Sequence, residues 1–183
     1  MPRNIEIKAK IHDRDHAAAL IEVIADGPPE YLEQDDTFFA CDAGRLKLRV
    51  CGSQAQLIFY QRPDQTGPAQ SFYLISETSE PDTLRDVLGH AYSVTGRVRK
   101  QRALYFRGRT RIHLDAVEGL GDFLELEVVL GRGEPGEQGM AEANDILKLL
   151  DVSECQLIEA AYFDLIADKQ TNDPCKSGSG SPG

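Results

Sequence analysis

The sequence predicts an α+β domain with eight strands and four helices. Segments in which apolar and polar residues alternate recur along the chain, as half-buried strands require, and segments with helical periodicity lie between groups of them. The chain has 183 residues, of which 41% are hydrophobic and 27% are charged. This length and composition are typical of an ordinary globular domain with one core.

Alternation defines the strands, and turn-forming residues separate most of them. Asp42-Ala43-Gly44 and Gly52-Ser53 are two such turns. We predict strands at residues 3–11, 32–41, 45–50, 56–62, 70–76, 93–104, 110–117 and 123–130.

Periodic apolar positions and capping residues define the helices. The first is predicted at 13–25 with Asp13 as its N-cap, and the second at 81–90, where Pro81 suits the first turn. The third is predicted at 138–150, and Ser153 is predicted to cap the fourth. We assign residues 1–168 to the domain and the Gly/Ser-rich end, residues 169–183, to a flexible tail.

The overall charge excludes some partners. The formal net charge is −10, which argues against binding to a nucleic-acid duplex. No apolar run approaches the roughly 20 residues that a membrane span needs, and we expect neither a signal peptide nor a membrane partner. The four cysteines show no metal-binding spacing, so we expect free thiols and a cytoplasmic protein. A monomer and a homodimer both remain open.

The polar faces of the strands carry an unusual distribution of charge. One alternating strand indicates only a solvated sheet face, but here several faces are almost purely basic and others acidic, whereas ordinary surfaces mix both signs. The bases on these faces are Arg45, Lys47, Arg49, Arg62, Lys100, Arg102, Arg109 and Arg111, and the acids are Glu6, Asp115, Glu125 and Glu127.

If the sheet curves so that these faces converge, like charges crowd together unless an anionic ligand compensates. A triphosphate carries about four negative charges near neutral pH, and arginine forks match its oxygens. Mg²⁺ and Mn²⁺ bind carboxylate oxygens and bridge phosphate oxygens. The sequence therefore predicts a site for a triphosphate and a divalent metal.

Two kinds of motif resemble the CYTH superfamily, also called triphosphate tunnel metalloenzymes. The opening strand, Asn4-Ile5-Glu6-Ile7-Lys8, is similar to the Glu-x-Glu-x-Lys strand of the family, with Asn4 in place of the first glutamate. The segment Ile112–Glu127 is similar to the Leu-Asp…Gly-Leu-Gly-x-Phe-x-Glu-x-Glu segment of the class IV adenylyl cyclase-like branch. Shorter matches are the basic strands at 45–49, 60–63 and 98–102 and the helical segment 162–165.

The resemblance implies an eight-stranded antiparallel β-barrel, a triphosphate tunnel with helices outside. It also implies an enzyme that binds a nucleoside or other triphosphate with Mg²⁺ or Mn²⁺. Some members convert ATP to cyclic AMP and pyrophosphate, and others hydrolyse inorganic or organic triphosphates such as thiamine triphosphate. Fold alone does not fix the reaction.

The resemblance also implies roles for the charged residues. The residues expected at the reacting group are Lys8, Glu6 and Arg111. The residues expected to bind the substrate are Arg45, Lys47, Arg49, Tyr60, Arg62, Lys100, Arg102, Arg109 and His113. The residues expected to bind the metal are Glu6, Asp115, Glu125 and Glu127.

Several interpretations stay open from the sequence. A cyclase-like enzyme, a metal-dependent triphosphatase and a binding module without turnover all fit, the last because Asn4 brings no charge to the metal site. His113 is either a general base or a lining residue, and Tyr60 either contacts a nucleoside or packs. We interpret Asp35-Asp36 as a turn or strand start.

Overall fold

An eight-stranded antiparallel sheet forms the centre of the molecule in the computed structural model, which describes residues 3–61 and 72–171. The strands are β1 (Arg3–Ile11), β2 (Glu30–Phe39), β3 (Arg45–Cys51), β4 (Gln54–Gln61), β5 (Phe72–Glu77), β6 (Val94–Arg107), β7 (Thr110–Val117) and β8 (Gly121–Leu130). The helices are α1 (Arg14–Ile24), α2 (Pro81–Tyr92), α3 (Gly136–Leu149) and α4 (Tyr162–Thr171), with a 3₁₀ turn at Glu154–Gln156.

The strands follow the order β1-β8-β7-β6-β2-β3-β4-β5, and every neighbouring pair is antiparallel. Glu125 of β8 interacts electrostatically with Lys47 and Arg49 of β3, although three strands lie between β8 and β3. In a flat sheet four interstrand steps would separate these side chains by about 19 Å. The sheet is therefore strongly curled into a tunnel-like fold, although the described parts of β1 and β5 do not pair to close it.

The outer face of the curled sheet carries the main apolar core. Ile5, Leu114 and Leu126 are almost fully buried there and pack against α1 and α3. Gly139 of α3 is needed for this close approach, because a Cβ at that position would lie 2.5 Å from a methyl carbon of Leu130. These residues occupy the apolar positions of the alternating strands, so burial of one face fixes which face turns inward.

The first three helices begin close to the predicted positions. Asp13 caps α1 as expected, since its Oδ1 accepts a hydrogen bond of 2.9 Å from the His16 amide. None of the helices in the described ranges is long and apolar enough to cross a membrane. The described cysteines, Cys41, Cys51 and Cys155, are free thiols.

The prediction of a long fourth helix from Ser153 was wrong. Ser153 forms a capping box with Gln156, but this box caps only the 3₁₀ turn. The chain then becomes extended beside β1: Leu157 pairs with Ala9, and the Ile158 amide donates to the Lys8 carbonyl at 2.8 Å. Edge pairing with β1 outweighs the helical periodicity of this segment, and α4 starts only at Tyr162.

Helix α4 lies across one end of the inner face, unlike α1 and α3. Phe38, Val98, Val117 and Phe123 on the inner face form an apolar cluster with Tyr162 of α4. The approach is close at Gly96, where a Cβ would lie 2.7 Å from the ring of Phe163. This end of the interior is thereby filled with apolar side chains. The predicted domain boundary at residue 168 falls inside α4, and residues 172–183 lie outside the described ranges.

Candidate functional site

The deepest charged cluster of the interior centres on Asp115 of β7. Its two carboxylate oxygens accept from Arg102 Nε at 2.6 Å, Arg102 Nη2 at 2.7 Å, Lys100 Nζ at 3.0 Å and the Tyr162 hydroxyl at 3.0 Å. Asp115 is completely buried. Arg102 and Lys100 hold the pKa of this carboxyl low against the opposing effect of burial. Asp115 is thus the counter-charge that fixes two bases in place.

A second cluster joins β2 to β3. Asp36 accepts from Arg49 Nε and Nη2, both at 2.7 Å, and from Lys47 Nζ at 2.8 Å. Burial disfavours its charge, yet these partners lower the pKa of Asp36. The interpretation of Asp35-Asp36 as a turn was therefore wrong: both lie within β2, and Asp36 points into the interior. Asp35 lies on the outer face, where it pairs with Arg97.

Glu125 links the deep cluster to the neighbouring strands. Its Oε1 lies 3.3 Å from His113 Nδ1 and 3.5 Å from Arg102 Nη2, and its Oε2 lies 4.0 Å from Lys8 Nζ. Although burial opposes ionisation, His113, Arg102 and Lys100 keep the pKa of Glu125 well below its usual value. Burial lowers the pKa of His113. Glu125 is therefore ionised at neutral pH, as a metal ligand must be.

The open end of the interior carries more exposed carboxylates. Glu6 of β1 and Glu127 of β8 are direct cross-strand partners. Glu127 accepts a hydrogen bond from the Asn4 side-chain amide and another from Arg111 Nη1 at 3.0 Å. The side chain of Glu6 is 51% exposed and that of Arg111 is 44% exposed. We call the group of Asn4, Glu6, Arg111 and Glu127 the rim.

Lys8 lies between the rim and the deep cluster. Its Nζ is 4.0 Å from a carboxylate oxygen of Glu6 and, as noted, of Glu125, and it lies 4.4 Å from the centre of the Tyr162 ring. The side chain is only 7% exposed. A buried ammonium in contact with two carboxylates and an aromatic face is held in a fixed position.

Helix α4 contributes side chains to which the sequence prediction gave no role. Tyr162 donates to Asp115, as described above, and Asp164 accepts from Arg45 Nη2 through both oxygens, at 2.9 and 3.0 Å. The motif at 162–165 resembled the family, but nothing in the sequence placed it against β3 and β7. The structure thus ties Arg45 to the closed end of the interior.

The interior concentrates bases in a chain whose net charge is −10. Eight bases of the described residues lie there: Lys8, Lys10, Arg45, Lys47, Arg49, Lys100, Arg102 and Arg111. The acids of the interior are Glu6, Asp36, Asp115, Glu125, Glu127 and Asp164, and the register adds Glu30 and Glu77 on the same face at strand ends.

The structure does not bring every predicted residue to this interior. Arg109 precedes β7 and forms ion pairs with Glu134 at 2.5 Å and Glu142 at 2.8 Å, next to α3. This placement contradicts its assignment to the substrate site. Arg109 lies two residues before Arg111, a spacing that places side chains on the same face of a strand, but it belongs to the turn at Gly108 and therefore points to α3. Arg62 lies outside the described residues.

The predicted metal ligands differ in their availability. The carboxylate of Asp115 already accepts four hydrogen bonds and is completely buried, so it is less accessible to an ion than the carboxylates of the rim. Among the described residues, no group of three or more His, Cys, Asp and Glu side chains is positioned to hold an ion by itself. Glu6 and Glu125 lie beside Lys8, and Glu127 is the cross-strand partner of Glu6. Their oxygen atoms are the kind of donor that suits hard divalent cations.

Comparison with known proteins decides the family. A family profile described as the CYTH domain matches residues 2–162. The chain belongs to the CYTH family. A Methanocaldococcus jannaschii protein that carries the name "putative adenylate cyclase" is 35% identical over 68 residues, which are 37% of this chain and 39% of that protein. The matched region thus spans about two-fifths of the length of this CYTH relative.

Solved structures share the fold. The PH1012 protein from Pyrococcus horikoshii superposes with a TM-score of 0.78 at 22% identity, over 88% of this chain and 98% of that one. A Hippeastrum protein, described as a "putative adenylyl cyclase" that reveals a dominant triphosphatase activity, superposes with a TM-score of 0.65 at 16% identity, over 92% and 96% of the two chains. The predicted CYTH fold is confirmed.

Proposed function

We propose that this CYTH protein binds ATP as a metal complex in the curled interior and cleaves it as an adenylyl cyclase does. The observation that carries the proposal is the set of bases that ion pairs hold in place on the inner face. A triphosphate with about four negative charges, complexed to one divalent cation, has a net charge near −2. Arginine and lysine side chains suit the oxygens of such a complex.

The bases are preorganised for phosphate oxygens. Asp36 holds Arg49, and Asp115 holds Arg102, each through Nε and Nη2. Within the described ranges, Nη1 of either arginine donates to no other residue and can serve another acceptor. Guanidinium groups fixed in this way lose little conformational entropy when they bind. Lys47 and Lys100 add charge beside them. In this proposal these four residues and Arg111 bind the phosphate chain, and Asp36 and Asp115 position them.

A divalent cation fits the carboxylates at and near the rim. Glu6, Glu125 and Glu127 would hold it, and the substrate phosphates would complete its coordination, because Mg²⁺ is commonly bound by only one or two carboxylates together with phosphates. When bound, the ion supplies neutralisation of phosphate charge and polarisation of the reacting group. Mg²⁺ and Mn²⁺ share this oxygen chemistry.

In the cyclisation the ribose 3′ oxygen forms a bond to the α-phosphorus. The bond from that phosphorus to the bridging oxygen breaks, pyrophosphate leaves with the electron pair, and the hydroxyl proton is released. Lys8 lies between the rim and the deep cluster, where its ammonium can stabilise charge that develops on the reacting phosphoryl group. The protein thus contributes mainly positioning and electrostatic stabilisation.

Hydrolysis of a triphosphate is the second candidate function. The Hippeastrum structure favours it, since that protein of the same fold is described with a dominant triphosphatase activity. In this reaction water, rather than the ribose hydroxyl, attacks a phosphorus atom. A third candidate is binding without turnover. The structure shows Asn4 donating to Glu127, so this position supplies a neutral hydrogen-bond donor where the family motif has a carboxylate.

Product analysis tests the proposal. Purified protein is incubated with ATP and either Mg²⁺ or Mn²⁺, and in parallel with inorganic triphosphate, and the products are separated by chromatography. Cyclic AMP and pyrophosphate in equal amounts support the cyclase. ADP and orthophosphate from ATP, or orthophosphate from inorganic triphosphate, support the hydrolase instead. Tight binding of ATP without any product would establish the binding module.

A further inference from the structure

The inner face is divided into a charged and an uncharged sector. The charged sector comprises β1, β8, β7, β6 and β3, which supply the bases described above. The uncharged sector lies on β4 and β5, where the described inward residues Gln56, Ile58 and Ile75 carry no charge. Glu77, which pairs with Gln56 at the end of β5, is an acid and bounds this sector. This part of the face therefore offers no positive charge to phosphate oxygens.

Register places these residues beside the basic sector. Ile58 pairs with Lys47 of β3 on one side and with Ile75 of β5 on the other. Tyr60 follows on the same face, and Lys47 Nζ lies 5.6 Å from the centre of its ring. The uncharged sector therefore continues directly from the bases that are proposed to bind phosphate.

Ile75 is the most exposed member of the uncharged sector. Its side chain is 51% exposed, whereas Ile58 is 8% exposed. Next to it, an ion or water would leave apolar surface unburied, but a flat organic group would cover it. Gln56 and Tyr60 lie on the same face of β4, one on each side of Ile58, and supply hydrogen-bonding groups at the two ends of this surface. A flat ring with polar edges fits such a surface.

We infer that Gln56, Ile58, Tyr60 and Ile75 form the subsite for the organic part of an organic triphosphate. This inference rests on the proposed function. The phosphates lie over Lys47 and the arginines, and the base of a nucleoside covers the exposed surface of Ile75. Inorganic triphosphate lacks this part and uses only the charged sector. The uncharged sector therefore favours a nucleoside triphosphate over inorganic triphosphate as the substrate.

The chain offers a matched control for a test. Ile75→Ala removes apolar surface from the inner face, and Leu74→Ala removes a comparable amount from the outer face of the same strand, since Leu74 is 59% exposed. Binding is measured by calorimetry with Mg²⁺ present, and methylene-bridged analogues of ATP and of inorganic triphosphate are used so that turnover does not interfere. Thermal unfolding and sedimentation check the folding and the oligomeric state of both variants.

We expect Ile75→Ala to weaken ATP binding about five- to tenfold and to leave binding of inorganic triphosphate unchanged. Leu74→Ala should leave the binding of both ligands unchanged. Equal weakening of both ligands, no weakening of ATP, or a change of oligomeric state in place of a change in affinity would each overturn the subsite. In those cases the wild-type protein still binds ATP, and the proposed function stands. If the wild-type protein binds neither ligand, both proposals fall.

Discussion

The deep cluster and the rim use the same residue types in different physical states. Side chains of Lys100, Arg102 and Asp115 are at most 9% exposed, and their charges are paired. Glu6 and Arg111 of the rim remain about half exposed. Charges without water must be matched within the protein, whereas exposed charges can exchange partners at little cost. The comparison indicates that the deep cluster stabilises the fold and holds its bases in place, whereas the more exposed rim side chains can change partners more readily.

The largest effect is expected from breaking the deep cluster. Asp115→Ala leaves two cations buried without a counter-charge, and we expect it to lower the free energy of unfolding by about 3–5 kcal/mol. Urea denaturation measures this. Glu118→Ala, which removes an acid whose side chain is 67% exposed, is the control and should stay within about 0.5 kcal/mol of the wild type. Equal stability of the two variants would show that the deep cluster is not structural.

A substitution in the rim should affect turnover strongly and stability little. Glu127→Gln keeps the shape of the side chain but removes its charge, and we expect turnover to fall on the order of 100-fold or more. The free energy of unfolding should change by less than about 1 kcal/mol, because the carbonyl oxygen of glutamine can still accept from Asn4 and from the half-exposed Arg111. Steady-state kinetics, denaturation and a titration with Mn²⁺ separate these effects. Full activity of Glu127→Gln would remove this residue from the proposed metal site, and Glu154→Gln on an exposed turn serves as the control.

A smaller effect is expected from the titration of Lys100 in the deep cluster, which should make triphosphate binding depend on pH. Burial, followed by the charge of Arg102, lowers the pKa of Lys100 from 10.5 to about 8. Lys100 is therefore cationic below pH 8, and its attraction for phosphate is lost as the pH rises through that value. We expect triphosphate binding to weaken by about tenfold or less above pH 8.

Lys100→Arg provides the control for this pH dependence. Arginine stays protonated over the whole range, so the variant should lose the alkaline decline that Lys100 causes. Calorimetric titrations between pH 7 and about 9.5 compare the two proteins. A decline of the same size in both would assign the pH effect to another group.

Most strands could be predicted from the sequence because one face is largely apolar, as in β1, β3, β7 and β8. The alternation does not reveal which residues meet across strands. Asp36 illustrates this: beside Asp35 it looks like part of a turn, and only its pairing with Arg49 of β3 shows its place in the interior. Arg109 illustrates the opposite case: its spacing from Arg111 predicts an inward side chain, but it lies in the turn before β7 and points away from the interior.

The closed end of the interior could not be predicted for a related reason. Phe38 and Val98 are apolar residues on the inner face, and they break the rule that apolar positions point outward. Their partners are Tyr162 and Phe163 of α4, which are more than 60 residues away along the chain. A pattern within one strand contains no information about such distant contacts.

The pairing of β1 with β8 sets the order in which a newly made chain can fold. Arg3 pairs with Leu130, and the extended segment at Leu157 then covers the free side of β1. On the ribosome the first strand must wait for more than a hundred residues of synthesis before its partner exists. A fragment that stops before β8 therefore carries an unpaired strand rich in isoleucine, which invites aggregation.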